Sequence, residues 1–137
     1  MRKILLIEDN EGDIFLIKEA LRESKFQGEI IEIKDGEAAI DYFIKEDACL
    51  KSLSVDLILL DINLPKKNGH EVLYFIKNSC CLKHIPVVML TTSSLKNDIK
   101  QAYDNNVNSY ITKPSDTEEY QALIAHVLNY WFFISQV

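Results

Sequence analysis

Val55-Asp56-Leu57-Ile58-Leu59-Leu60-Asp61 is the stretch that decides the fold. Four apolar residues in a row run into an aspartate. A strand with one wet face alternates apolar and polar residues. An unbroken apolar run has no wet face, which marks a strand buried between two layers of helices. Ile4-Leu5-Leu6-Ile7 has the same form and ends in Glu8-Asp9. Pro86 opens a third such run, Val87-Val88-Met89-Leu90, which ends in Thr91-Thr92. Ser109-Tyr110-Ile111 is shorter and stops just before Lys113-Pro114, while residues 29–33 alternate and read as a more exposed strand.

Helical signals fill the gaps. Asn10 can cap a first helix, with Asp13 adding negative charge to its first turn and Ile14, Ile17 and Leu21 forming its apolar stripe. Asp35-Gly36 turns the chain into a helix carrying Ala39, Ile40 and Phe43. Residues 46–54 and 64–69 read as loops. Val72, Leu73 and Ile76 point inward from the next helix. Another runs from about Lys96 to Asp104 and stops at Asn105-Asn106, because Asn tolerates the left-handed conformation that helix ends often need. The last helix starts near Asp116.

Strand and helix thus alternate five times, the pattern of βαβ units and a parallel sheet. Right-handed crossovers leave few topologies. The expected fold is α/β: a doubly wound (βα)5, flavodoxin-like three-layer sandwich with strand order 2-1-3-4-5. Its ligand crevice lies at the carboxyl ends of the first and third strands. Residues 1–137 are expected to form one domain, with no output domain.

Composition narrows the function. Of 137 residues, 47% are hydrophobic and 26% charged, so a folded core is expected, and the net charge of −6 disfavours nucleic acid or anionic membrane as a partner. The amino terminus is apolar too briefly for a secretory signal, and no apolar run is long enough for a membrane span. Cys49, Cys80 and Cys81 lack metal-type spacing. They are expected to be reduced thiols in a cytoplasmic protein.

The fold gathers the polar residues that end the strands. Glu8, Asp9, Asp61, Thr91 and Lys113 all fall on the carboxyl edge. Asp56 starts its strand and serves as a built-in control: at ~3.3 Å per residue it lies about 17 Å from Asp61, at the other end of the sheet. Three carboxylates in one crevice repel unless a cation sits among them. An all-oxygen set suits Mg²⁺. A carboxylate beside Mg²⁺, a lysine and a hydroxyl is apparatus for phosphoryl transfer.

Five segments carry a resemblance: IEDN at 7–10, DGEAA at 35–39, LLDINLPKKNG at 59–69, IPVVMLTTS at 85–93 and SYITKP at 109–114. In this order they resemble the receiver domain of bacterial two-component response regulators, over almost the whole chain. The resemblance implies a stand-alone regulator that takes a phosphoryl group from a sensor histidine kinase and signals by a change of shape. It is no enzyme, beyond catalysing its own phosphorylation and dephosphorylation. Asp61 would be the phosphoacceptor. Asp9 would bind Mg²⁺ directly, Glu8 mostly through water, and the Asn63 backbone carbonyl would be a further ligand. Thr91 and Lys113 would hold phosphoryl oxygens, the Lys113–Pro114 peptide would be cis, and Tyr110 would swing inward as Thr91 moves. The EDN-x-x-D opening, the TTS after strand four and the aromatic carboxyl end resemble a subgroup that partners phytochrome-like and other hybrid histidine kinases. Glu8 stands where Asp is commoner, and Asn106 where Gly is frequent.

Three other readings fit the residues less well. An FMN binder would want a hydroxyl- and glycine-rich loop where this chain has Glu8-Asp9. A degenerate receiver would have lost Asp61, Lys113 or the acidic pair. A phosphatase with an aspartate nucleophile would carry an acid at position 63.

The last helix suggests an interface. Tyr120, Leu123, Ile124, Val127, Leu128, Trp131 and Phe132 form one stripe toward the sheet. At 3.6 residues per turn, Tyr130 and Phe133 fall off it. Exposed aromatics suggest a partner, and a homodimer about a two-fold axis is the simplest. The rival reading is a helix that frays and folds its end over the core.

Overall fold

The computed structural model describes residues 2–46 and 54–134, with the side chains of residues 133 and 134 outside the description. Most of the expected loop at 46–54 therefore lies outside the described residues, as does the side chain of Phe133.

Five strands form one parallel sheet: β1 (Arg2–Ile7), β2 (Gly28–Ile33), β3 (Leu57–Leu60), β4 (Val87–Thr91) and β5 (Ser109–Thr112), in the order β2-β1-β3-β4-β5. The described helices are α1 (Glu11–Glu23), α2 (Gly36–Lys45), α3 (Gly69–Lys77), α4 (Lys96–Asp104) and α5 (Thr117–Asn129). The expected doubly wound sandwich is the observed one.

The apolar runs explain the layers. Side chains alternate across a strand, so each run feeds both faces. Leu5, Ile7, Ile58, Leu60, Val87 and Met89 pack with residues of α2, α3 and α4. Ile4, Leu6, Leu57, Leu59, Val88 and Leu90 pack with residues of α1 and α5. β3 spans only the four-residue apolar run, so the strand begins one residue after Asp56. Asp56 lies outside the ladder, yet it closes the strand's amino end: its N–H donates to the Lys3 carbonyl (2.9 Å), and its carboxylate accepts from the Lys3 N–H (2.8 Å).

Caps set the helix starts. Asn10 accepts from the Asp13 N–H, Asp35 from the Ala38 N–H and Asp116 from the Glu118 N–H, and Asn68 forms a capping box with Glu71. Leu95, before α4, offers no side-chain cap. Asn106 takes φ 66°, the left-handed conformation that ends α4. After α5 the backbone widens to a π-helical segment, Tyr130–Ile134. Tyr130 is 49% exposed, as its place off the stripe suggested, whereas Trp131 and Phe132 are half-buried against the α1/α5 core.

Candidate functional site

The site forms because parallel strands stop together. The ladder aligns Ile7 with Leu60, so Glu8 and Asp61 emerge side by side. Thr91 pairs with Thr112, which delivers Lys113 beside them, and the Lys113 N–H donates to the Thr91 carbonyl (2.7 Å).

Glu8, Asp9 and Asp61 each offer an oxygen to a group whose atoms all lie within 4.8 Å of one another. Glu8 and Asp61 are buried, and Asp9 is exposed. The Lys113 side chain is 3% exposed, and its ammonium donates to Glu8 Oε1 (2.5 Å), Asp13 Oδ2 (2.9 Å) and, at longer range, Asp61 Oδ2 (3.4 Å). The remaining oxygens are held locally. Glu8 Oε2 accepts from the backbone N–H groups of Asp9 and Asn10, and Asp61 Oδ1 accepts from the Ile62 N–H.

One ammonium faces several carboxylates, and the electrostatics record the crowding. Burial pushes the Glu8 carboxyl up to about 7; the Lys113 bond pulls it down, and the Asp61 charge adds to the rise. Burial alone would lower Lys113, but its bonds to Asp13 and Glu8 and the charge of Asp61 outweigh that and hold it above the ordinary lysine range. Excess negative charge, all-oxygen donors and an open side at Asp9 fit a hard divalent cation.

Gly69, the first residue of α3, lets that helix approach Asp61. A Cβ there would lie 2.2 Å from the Asp61 carbonyl oxygen. Thr91 is fully buried, and its Oγ1 accepts from the Ser93 N–H (3.4 Å). Tyr110 is half-buried against the α2/α3/α4 core, and its hydroxyl donates to the Ser93 carbonyl (2.8 Å). Asn63 is exposed in the loop two residues beyond Asp61.

One expectation is corrected. The Lys113–Pro114 bond is trans, for no cis peptide is present among the described residues. The trans form keeps the ordinary preference of an X–Pro bond, roughly 0.5–1 kcal/mol, and Lys113 reaches the carboxylates with it. The expectation of reduced thiols also narrows: Cys80 is free, but Cys81 is disulfide-bonded.

Sequence reading missed two features. Asp13 has the pattern of a helix-start acid, yet it binds Lys113 across one hundred residues of chain. The buried His70 carries no signal in the sequence, yet its Nε2 lies 3.0 Å from Asp98 Oδ1.

With this geometry established, known proteins can be set beside it. Residues 4–125 match the model of the response regulator receiver domain. The chain is 44% identical over 128 residues to the "Probable methanogenesis regulatory protein FilR2" of Methanothrix harundinacea, covering 93% of this chain and 82% of that protein. It is 40% identical to the response regulator Rcp1 of Synechocystis, covering 93% and 87%. The crystal structure of the phosphorylated cyanobacterial phytochrome response regulator RcpA superposes with a TM-score of 0.90 at 42% identity, over 98% of this chain and 96% of that one. The Mn²⁺-bound form of Rcp1 gives 0.89 at 37% identity, over 100% and 99%. The chain therefore belongs to the response regulator receiver family: it is a phosphoacceptor domain of two-component signalling that uses Mg²⁺ and partners a histidine kinase. Among the described residues no helix is long and apolar enough to cross a membrane.

Proposed function

We propose that this receiver accepts its phosphoryl group on Asp61. The observation that carries the assignment is the convergence of Asp61, Glu8 and Asp13 on the buried Lys113 ammonium, beside the acidic cluster. Asp9, Asp61 and the Asn63 carbonyl would hold Mg²⁺, with Glu8 assisting through water. The metal supplies charge neutralisation on the phosphoryl oxygens. The Asp61 carboxylate attacks phosphorus, the bond to the donor nitrogen breaks, and the proton needed by the leaving imidazole comes from solvent or the donor. Lys113 and Thr91 take two of the phosphoryl oxygens, and Lys113 lets go of Glu8 or Asp13 as it does so. Tyr110 and the Ser93 loop carry the change outward. The same site hydrolyses the acyl phosphate to reset the protein.

The protein works in the cytoplasm. Its kinase is of the phytochrome-like or another hybrid type. That reading rests on the likeness to RcpA and Rcp1. Output is by protein contact from a domain of residues 1–137, a reading supported by relatives that are themselves little longer than this chain. A homodimer through the α4-β5-α5 face, with the exposed Tyr130 and Phe133 as candidate contacts, is the simplest form of that contact.

The test is exposure to acetyl phosphate with Mg²⁺, followed by peptide mass mapping. The phosphoryl group should map to Asp61 alone; label at another residue, or none, refutes the assignment. Phosphotransfer from a panel of kinases identifies the donor class. Light scattering with and without beryllofluoride, for wild type and Tyr130→Ala, decides the dimer: a monomer throughout removes it.

A further inference from the structure

The loop after β4 is tied down from three sides at one residue. The Ser93 N–H donates to Thr91 Oγ1, its carbonyl accepts from the Tyr110 hydroxyl, and its own hydroxyl donates to Asp98 Oδ2 at 2.6 Å. The other Asp98 oxygen, Oδ1, bonds His70 Nε2 at 3.0 Å. A continuous chain therefore runs from His70 through Asp98 and Ser93 to both Thr91 and Tyr110.

The two ends of this chain differ in firmness. His70 is 5% exposed and sits in the first turn of α3, directly after the glycine that packs on the Asp61 backbone. Among the described residues its Nδ1 has no partner, so the bond to Asp98 is the ring's one polar anchor. With Asp98 accepting, Nε2 is the donor of this bond. The Ser93 hydroxyl and His70 hold Asp98 below the usual carboxylate range, hence ionised and a strong acceptor. α4 is the loose end. It has no side-chain cap, no basic residue in its last turn and one fully buried residue, Ala102. A helix so lightly packed depends on the few bonds its first turn makes, and Asp98 supplies them.

We propose that His70 is a positioning residue of the phosphoryl switch: through Asp98 and Ser93 it holds the post-β4 loop and the start of α4 where Tyr110 is engaged. The proposal rests on the assignment of Asp61, Thr91 and Tyr110 above. Because binding and conformation are linked, weakening the latch must weaken the phosphoryl mimic by the same factor that the mimic strengthens the latch. A net hydrogen bond of this kind corresponds to roughly a three- to tenfold change in an equilibrium constant.

The experiment uses the full chain labelled with 3-fluorotyrosine, titrated with beryllofluoride in Mg²⁺. The Tyr110 resonance is assigned with Tyr110→Phe. His70→Leu removes the bond but keeps apolar bulk, Asp98→Asn weakens it from the α4 side, and His70→Gln keeps a donor near the Nε2 position. Half-saturation should rise about three- to tenfold in His70→Leu and Asp98→Asn, with the free-state Tyr110 resonance displaced. His70→Gln should stay within about twofold of wild type. The latch is overturned if both disrupting variants keep wild-type half-saturation and an unmoved Tyr110 resonance, or if His70→Gln fails as badly as His70→Leu, which would make packing the whole effect. Should His70→Leu not fold, Asp98→Asn decides, since its side chain is only partly buried and the amide keeps its size. A wild type that does not respond to beryllofluoride at all refutes the phosphoacceptor assignment, and the latch with it. Response with no variant effect refutes the latch alone.

Discussion

At the amino end of β3, Asp56 exchanges two hydrogen bonds with the Lys3 backbone, at 2.9 and 2.8 Å. At the carboxyl end, Asp61 gives one oxygen to its own neighbour's N–H and points the other at Lys113, 3.4 Å away, with Glu8 and Asp9 close by. The residue type, the strand and the sheet are the same. The surroundings differ: Asp56 takes a backbone N–H on one carboxylate oxygen and closes the sheet's amino end, whereas Asp61 lies in a pocket with more negative charge than its one ammonium balances. A strand-ending acid is structural when a backbone donor is its partner and reactive when it is crowded by like charge.

The largest contrast should come from amide substitutions at the two ends. Asp61→Asn should reduce incorporation from acetyl phosphate to background, because the nucleophilic oxygen is gone. Asp56→Asn should incorporate at the wild-type rate. Both are read from intact mass over time. Equal losses would mean that the sheet end, and not the chemistry of the crevice, limits the reaction.

Lys113→Ala should come next. It leaves Glu8, Asp13 and Asp61 facing each other without their ammonium. Unpairing a buried ion pair costs about 3–5 kcal/mol, and relaxation toward the open Asp9 side should keep the loss at or below the lower figure. Melting of the metal-free variant should fall by several degrees, and added Mg²⁺ should restore more stability than it adds to wild type. The variant should still accept the phosphoryl group, but the Tyr110 resonance should not respond. A Lys113→Ala protein that signals normally would remove Lys113 from the switch.

Metal binding ranks third. Asp9→Ala should weaken Mg²⁺ by about ten- to a hundredfold, measured by calorimetry, and EDTA should abolish phosphorylation of the wild type. Asp56→Ala should bind Mg²⁺ as wild type does. Matching losses in Asp9→Ala and Asp56→Ala would place the metal away from the carboxyl edge.

These contrasts rest on features that differ in how far the sequence reveals them. The strand ends were legible because each apolar run stops at a polar residue, and parallel packing brings those stops into line. The cap at Asn10, the helix starts at Asp35-Gly36 and near Asp116, and the left-handed Asn106 are local and were legible for that reason. Asp13 and Asp98 were not. Each looks like an ordinary first-turn acid, and its partner is reached across one hundred residues in one case and from a different helix in the other. The trans Lys113–Pro114 bond escaped because the two isomers differ by so little energy that residue type cannot choose between them. The π-helical turn at Tyr130–Ile134 escaped because a periodicity of 3.6 was carried to the end of the chain.

The smallest expected effect tests the structural end of the strand. Asp56→Ala removes the acceptor of the Lys3 N–H while leaving the backbone bond from residue 56 to the Lys3 carbonyl. The contact is half-buried, so water can partly replace the carboxylate, and the loss should be about 1 kcal/mol, the net worth of one such bond. For a domain of this size that is a few degrees in melting temperature. Asp56→Asn keeps a carbonyl acceptor in the same place and should recover much of the loss. Neither variant changes the crevice, so beryllofluoride half-saturation should stay at the wild-type value in both. A shift in half-saturation from Asp56→Ala would show that the two ends of β3 are coupled through the strand, and the separation drawn between a backbone-held acid and a crowded one would no longer hold.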